Sequence, residues 1–211
     1  MPAKASDIYS YIDLIAPFDT CESWDKSGFI AGDPESIVTN AVVCLDPSIT
    51  NIKKAAETGA ELLITHHPII WDPLTKVLPG SPVYELIRSG MSVICAHTNW
   101  DDAFGGVADT LCDILGIYDV GTVVPCLRAG KTDECDARAL AQHVSDVLKA
   151  PVKAAFTDQK KCSKVAVCPG GGASLIPDAL AAGADVFITG DAKHNDFIDA
   201  VANGISLIAA G

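Results

Sequence analysis

Three of the five histidines stand where short apolar runs end. His66 and His67 follow one run, and His97 follows the next, with Asp101 four residues later. Neutral imidazole and carboxylate groups are ligands for zinc, manganese, iron, cobalt or nickel. A lone histidine in a loop is by default a hydrogen-bonding group, but three with an aspartate favour a metal site. Paired ions in such sites lie about 4 Å apart, and Asp101 could bind one ion or bridge two.

The runs before these residues predict an α/β fold. Short β-branched runs alternate with helical stretches, which is typical of parallel strands joined by crossover helices. Ligands of open α/β sheets lie beyond the carboxyl ends of the strands, where His66, His67 and His97 stand. The strands predicted in these βα units are 41–45, 62–65, 92–96, 165–168, 186–189 and 205–210.

An internal repeat relates the two halves of the chain. A shift of 124 positions places Val43-Cys44 on Val167-Cys168 and Ile64-Thr65 on Ile188-Thr189. A shift of 114 positions places the segment 90–96 on 204–210. Two ordinary βα units could share such residues, but the matching order of three strands favours true duplication. We therefore expect a first α/β half over residues 1–120 and a repeat-related half, with a small middle segment, over 121–211.

The middle segment departs from the repeat. Strands are predicted at 121–127 and 152–157, with a helix between them that begins near Thr132. Thr132 has the side chain of a helix N-cap, and Asp133 and Glu134 suit the first turn of a helix. This pattern predicts a small βαβ piece.

Composition excludes several classes of function. The net charge of −12 argues against general nucleic-acid binding. No apolar run approaches the ~20 residues that span a bilayer, and the first residues lack the apolar stretch of a signal peptide. The eight cysteines have no CxxC spacing, so we expect reduced, structural thiols in a cytoplasmic protein that does not bind membranes.

Two further features leave more than one interpretation open. The glycine-rich segment 169–174 follows a strand and opens a helix, so its amides could hold an anion, and a tight turn explains it equally well. Of the remaining histidines, His143 is expected on a solvated helix surface. His194 begins a helix after Gly190-Asp191 and could line the pocket.

Five motifs together resemble the NIF-three-like family of dinuclear-metal proteins, some of which are called GTP cyclohydrolase I type 2. They extend along almost the whole chain, and the histidine pair with the HTNxD segment is the most specific. Lys26 departs from the pattern, because the family often has Asn there. The motifs occupy residues 23–28, 63–68, 96–101, 169–174 and 184–191.

The resemblance implies a NIF-three-like fold and a site with two divalent ions. His66 and His67 would each bind one ion, Asp101 would coordinate as well, and His97 would lie beside them. The family's remaining ligands are a His and a Glu in a GHxxxE-like motif after the last strand. The sequence ends at the glycine of that motif, Gly211, so we expect those two ligands in a segment beyond it.

The function that follows is a metal-dependent hydrolase acting on a nucleotide or related small molecule. GTP ring opening is the specific reaction that the resemblance suggests, and His97 or His194 would move the proton. The alternative is a non-catalytic metal-binding or regulatory scaffold that interacts with a protein partner. The family also implies a toroidal homohexamer.

Overall fold

The computed structural model describes residues 2–158 and 161–211. The chain forms two compact units, Met1–Ala103 and Phe104–Gly211. This division falls earlier in the chain than the 120/121 boundary predicted from the repeat. The physical reason is the helix Val107–Ile114, whose Cys112 packs into the core of the second unit with Val165 and Ile188.

The first unit is a four-stranded sheet, in the order β2-β6-β5-β4, covered by helices. Strands β4, β5 and β6 are parallel, and β2 runs antiparallel to β6. A two-stranded antiparallel pair, β1-β3, completes the unit. The elements are β1 (Ala3–Lys4), α1 (Ala5–Ile15), β2 (Gly28–Ala31), β3 (Ile37–Val38), β4 (Ala41–Cys44), α2 (Ile49–Glu57), β5 (Leu62–Thr65), α3 (Pro82–Ser89), β6 (Ser92–Cys95) and α4 (Thr98–Asp102).

Local sequence signals set the helix ends of this unit. The Ser48 side chain accepts a hydrogen bond from the amide of Asn51 and caps α2. Helix α3 is capped by Ser81, and Gly90 ends it in the left-handed conformation, at φ 75°, that glycine adopts without strain. Strand β6 is buried on both faces, as expected for a central parallel strand.

The second unit is a six-stranded sheet in the order β7-β8-β10-β11-β12-β9. Strands β10, β11 and β12 are parallel. Strand β8 runs antiparallel to β10 at one side of this group, and β9 runs antiparallel to β12 at the other. The elements are α5 (Val107–Ile114), β7 (Tyr118–Val124), β8 (Leu127–Cys135), α6 (Ala137–Leu148), β9 (Lys153–Ala155), β10 (Cys162–Cys168), α7 (Ile176–Ala181), β11 (Val186–Thr189), α8 (His194–Ala202) and β12 (Ser206–Ala209).

The predicted start of the middle helix was wrong. Thr132 lies inside β8, and helix α6 begins after Asp136, whose carboxylate accepts from the amide of Arg138. The predicted strand 121–127 is also two strands, because the chain reverses at Cys126, which has φ 62°. Pairing of β8 with both β7 and β10 overrides the local cap signal at Thr132.

The internal duplication is confirmed by the sheet registers. In the first unit Ala41 pairs with Leu62, and Leu62 pairs with Ser92. In the second unit the residues at shifts of 124 and 114 are aligned in the same way: Val165 pairs with Val186, which pairs with Ser206. The α/β class and the repeated parallel core are therefore those predicted from sequence.

Side-chain hydrogen bonds repeat as well. The amide of Asp33 donates to Ser92 Oγ at 3.1 Å, and the amide of Thr157 donates to Ser206 Oγ at 3.1 Å. The Glu61 carboxylate accepts two backbone amides before β4, and the Asp185 carboxylate accepts two at the corresponding place in β10. The two units share the contacts of their scaffold as well as their topology.

No helix in the described part of the chain is long and apolar enough to cross a membrane.

Candidate metal centre

The candidate site lies at the carboxyl edge of the first unit's sheet. Strands β5 and β6 are parallel neighbours, so the residues after them, His66, His67 and His97, emerge side by side. Strand β2 runs the other way, with Gly28 paired to Cys95, so the segment before β2 reaches the same edge. The topology therefore gathers polar residues from three separate segments.

One ring nitrogen from each of His66, His67 and His97 lies within 4.8 Å of the others. Among residues 2–158 and 161–211 this is the only group of three or more His, Cys, Asp or Glu that could hold a metal ion. Two nitrogens bound at about 2.1 Å to one tetrahedral zinc are about 3.4 Å apart. Small movements of the side chains would bring these ring nitrogens from within 4.8 Å of one another to the separation found between two nitrogens bound to one ion.

Each of the three imidazoles has its Nδ1 atom engaged. His66 Nδ1–H donates to the carbonyl of Ala96 at 3.1 Å, and the Nδ1 atoms of His67 and His97 lie 2.7 Å and 2.9 Å from carboxylates of Asp46 and Asp25. Partners of this kind fix the tautomer and ring orientation of metal-binding histidines. The Nε2 atoms are therefore the ring nitrogens available to bind a metal ion.

Asp25 is the main anchor of this edge. Its side chain is fully buried and accepts hydrogen bonds from His97 and from both the amide and the hydroxyl of Thr98, at 3.1 Å and 2.6 Å. Ser27 Oγ donates to it as well. Burial opposes ionisation, but the hydrogen bonds from Thr98, His97 and Ser27 hold the pKa of Asp25 well below its usual range. Asp25 is therefore a carboxylate that orients His97.

Asp101 faces the same cluster from helix α4. The helix begins after His97, and the amide of Asp101 donates to the His97 carbonyl, so the two residues lie one turn apart. Asp101 Oδ1 is buried, lies 3.6 Å from His66 Nε2 and has no hydrogen-bond partner among the described residues. Burial raises the pKa of Asp101 to about 6, against the lowering influence of His97.

A buried carboxylate oxygen without a partner is costly, and a bound cation would compensate it. Burial also lowers the pKa of His66, with like-charge repulsion from His97 and His67 acting in the same direction. The lowered pKa favours the neutral form of His66, which is the form that binds metals. The donor set fits a divalent ion.

Two half-exposed tryptophans border the cluster. Trp24, 52% exposed, and Trp71, 46% exposed, have ring centroids 6.0 Å apart. Both make edge contacts with His97, at centroid distances of 6.0 Å and 5.9 Å.

The structure brings together four of the five residues selected from sequence: His66, His67, His97 and Asp101. His97 stands in the imidazole group itself, as a third candidate ligand. His194 is not part of the group. It is exposed at the first turn of α8 in the second unit and lines a cavity of about 360 Å³ there.

The structure also explains the glycine-rich segment 169–174 and His143. The amide of Gly172 in the glycine-rich segment donates to Thr189 Oγ1 at 2.8 Å, and the amide of Gly190 donates to the Gly170 carbonyl at 2.8 Å. These contacts favour the turn interpretation. His143 lies exposed on α6, as predicted, with Nε2 3.1 Å from the Leu115 carbonyl.

Sequence reasoning gave no role to Asp25 or Asp46. Asp46 follows the strand that ends at Cys44, so the strand-end rule that selected the histidines also applied to it. Asp25 precedes a strand, and its role depends on the antiparallel pairing of β2 with β6, which no local pattern announces.

Fold and site together define an internally duplicated α/β protein with a histidine-rich candidate metal site at the carboxyl edge of one sheet. The chain belongs to the Duf34/NIF3 (NGG1p interacting factor 3) family, whose model matches residues 3–211.

Two similar proteins align with nearly the whole of this chain. A Clostridium perfringens protein named GTP cyclohydrolase 1 type 2 homolog is 32% identical, over 99% of this chain and 85% of its own length. A Streptomyces coelicolor protein of the same name is 31% identical, over 98% of this chain and 79% of its own length.

Solved structures support the fold. A Staphylococcus aureus hypothetical protein superposes with a TM-score of 0.92 at 25% identity, over 99% of this chain and 86% of that one. A Bacillus cereus protein related to NIF3 superposes with a TM-score of 0.93 at 19% identity, over 100% and 88% of the two chains. The second likeness concerns the fold alone.

Proposed function

We propose that this protein is a metal-dependent hydrolase that acts on a nucleotide or a related small molecule. The observation that carries the proposal is the group of three imidazoles, each with Nδ1 engaged, beside the partnerless buried oxygen of Asp101.

His66, His67 and Asp101 are the ligands we assign to two divalent ions, with His97 beside them. Imidazole and carboxylate donors suit zinc, manganese, iron, cobalt or nickel, and the donor set alone does not choose among them. When bound, such ions act as Lewis acids and lower the pKa of water for attack on an electrophilic carbon or phosphorus.

The chain's own residues prepare the site. Asp46 and the Ala96 carbonyl hold His67 and His66 with their Nε2 atoms free, and Asp25 does the same for His97. An imidazole with a carboxylate on Nδ1 is suited to accept and return a proton at Nε2. We assign the proton transfer to His97.

The names of the relatives suggest the particular reaction. Two relatives at 31–32% identity are named GTP cyclohydrolase 1 type 2 homologs. Opening of the imidazole ring of GTP is a hydrolytic reaction at an electrophilic carbon, which suits the proposed site. GTP is therefore the first substrate to test.

The test is conversion of GTP by protein loaded in turn with each candidate metal, followed by chromatography of the products. We expect turnover in the wild-type protein and its loss in His67→Ala, with His143→Ala as a matched control on the exposed surface of α6. Unchanged turnover in His67→Ala would exclude the mechanism. Tight metal binding without turnover of any nucleotide would reject the hydrolase and favour the alternative function, a non-catalytic metal-binding scaffold.

The assembly we propose is a homohexamer in the cytoplasm. The hexamer rests on the family to which the chain belongs. Light scattering after size-exclusion chromatography would give the mass of six protomers, and a monomeric mass would contradict it.

A further inference from the structure

The two tryptophans at the rim of the imidazole group carry an inference about what the site binds. Trp24 and Trp71 come from separate segments, one before β2 and one after His67, yet their rings lie in contact with each other and with His97. Large aromatic side chains are usually buried, and here about half of each side chain faces solvent next to a polar site. Such a surface favours a ligand that is flat and apolar on its faces.

A residue near each tryptophan is anchored in the first unit. Trp24 directly precedes Asp25, whose buried carboxylate is held by Thr98 and His97. Trp71 follows Ile69, which packs against the core cluster of Ile52 and Leu63. Anchoring of the neighbouring backbone restricts where the two rings can lie, and such restriction reduces the entropy lost when a ligand binds.

The relative angle of the rings limits how a ligand can bind. The planes of Trp24 and Trp71 are inclined at 50°, so they form a corner and not a parallel sandwich. A planar ring stacked on the face of one indole would be inclined at 50° to the other, so it would stack on one tryptophan and make a tilted contact with the second. The same corner touches His97, so a ring held there lies beside the imidazole group.

We propose that Trp24 and Trp71 form a stacking wall that binds the planar heteroaromatic ring of the substrate and places it beside the imidazole group. The wall selects ring-bearing compounds such as purine nucleotides over sugar phosphates. This inference rests on the proposed function for the site it serves, but its binding test does not require turnover.

The test measures binding by tryptophan fluorescence. Trp100 is partly buried against the core, so Trp100→Phe leaves Trp24 and Trp71 as the emitting residues. We expect GMP to quench this emission and ribose 5-phosphate, which lacks the ring, to leave it unchanged. Stacking on an aromatic side chain contributes enough that Trp24→Leu or Trp71→Leu should weaken GMP binding about tenfold.

Matched variants separate stacking from a general structural role. Trp71→Phe retains an aromatic face and should retain most of the affinity for GMP. Tyr11→Leu, at an aromatic position on α1 that is 62% exposed, should bind GMP as the wild-type protein does. Far-ultraviolet circular dichroism of each variant verifies that the fold is intact.

Three results would overturn the inference: no binding of GMP, equal binding by the tryptophan variants, or emission from Trp24 and Trp71 that acrylamide cannot quench in the native protein. The last result would mean that another chain covers the wall. GMP binding that depends on the tryptophans without turnover of any nucleotide would retain the wall and reject the hydrolase. GTP turnover with an unchanged KM in Trp71→Leu would retain the hydrolase and reject the wall.

Discussion

The two units have the same parallel core but different residues at their strand ends. The pairing of Ala41, Leu62 and Ser92 recurs as that of Val165, Val186 and Ser206. At the ends of β5 and β11, however, Thr65-His66-His67 corresponds to Thr189-Gly190-Asp191. The candidate site therefore depends on a few strand-end residues, while the shared core specifies where those residues can stand.

Buried charge is also handled differently in the two units. In the first unit the buried Asp101 Oδ1 has no hydrogen-bond partner among the described residues. In the second unit the side chain of Arg128, 4% exposed, is already bound to the carboxylate of Asp109. Removing one partner of a buried ion pair is destabilising, whereas the partnerless Asp101 carboxylate is the group that a cation would compensate.

The largest expected effect concerns the shared core. Ile94 on β6 and its counterpart Ile208 on β12 are both fully buried. Ile94→Ala and Ile208→Ala should each lower the free energy of unfolding by about 2–5 kcal/mol, because each leaves a cavity between sheet and helices. Urea unfolding measures both, with Val43→Ala, at a position 74% exposed, as a control that changes stability by less than about 0.5 kcal/mol. A small effect at only one site would show that the two cores are not equivalent.

The second prediction compares the residues that follow corresponding strands, His67 after β5 and Asp191 after β11. His67→Ala should weaken divalent-metal affinity by more than about 100-fold, because loss of a ligand exceeds the 10–100-fold typical of the residues that orient ligands. Asp191→Ala, at the corresponding position of the second unit, should leave the affinity unchanged. Competition with a chromogenic chelator measures both variants. Equal losses would contradict the assignment of the metal site to the strand ends of the first unit.

The third prediction compares two orienting carboxylates in the first unit. Asp25 is fully buried and holds His97, whereas Asp46, which holds His67, is 59% exposed. Asp25→Asn should weaken metal affinity about tenfold or more, because Asp25 also holds Thr98 at the start of the helix that carries the ligand Asp101. Asp46→Asn should weaken it less, since water can replace an exposed partner. The same chelator assay distinguishes them, and the reverse order would show that burial of the partner does not determine its influence.

The smallest effect concerns the ion pair of the second unit. Burial raises the pKa of Asp109, but hydrogen bonds from the Gly105 amide and Arg128 outweigh it and lower the pKa below its usual value. A carboxyl with a depressed folded-state pKa adds stability above its unfolded pKa of about 4, and that stability is lost as the pH falls through the folded pKa. Asp109→Asn should cost about 1 kcal/mol at pH 7. It should also reduce the acid dependence of unfolding below about pH 5, and an unchanged acid dependence would contradict this role for the pair.

Much of this fold follows from periodic patterns in the sequence. Alternation of apolar strands with capped helices predicts β4, β5, β6, β10, β11 and β12. The shifts of 124 and 114 predict that both units contain the same three strands, and the observed registers agree with those shifts. The missed features depend on pairing between distant segments. Strand β8 continues through Thr132 because β7 and β10 bind both of its edges, and a local helix-cap signal cannot reveal this.

The site was predictable to the extent that it obeys the strand-end rule. His66, His67 and His97 follow parallel strands, so their proximity could be inferred from their positions. The positions of Asp25 and Trp24 at this edge could not be inferred from periodicity, although both lie in the motif 23–28, because their segment reaches the site through the antiparallel strand β2. Side-chain orientation, such as the Nδ1 contacts that leave Nε2 available, requires coordinates.

The most direct measurement counts divalent metal ions per protomer by elemental analysis in the desalted wild-type protein and in a His66→Ala/His67→Ala double variant. A dinuclear centre at the carboxyl edge of the first unit predicts about two ions in the wild-type protein and their loss in the double variant with the fold intact. No metal in the wild-type protein after incubation with each candidate ion, or equal metal in both proteins, would contradict the central claim.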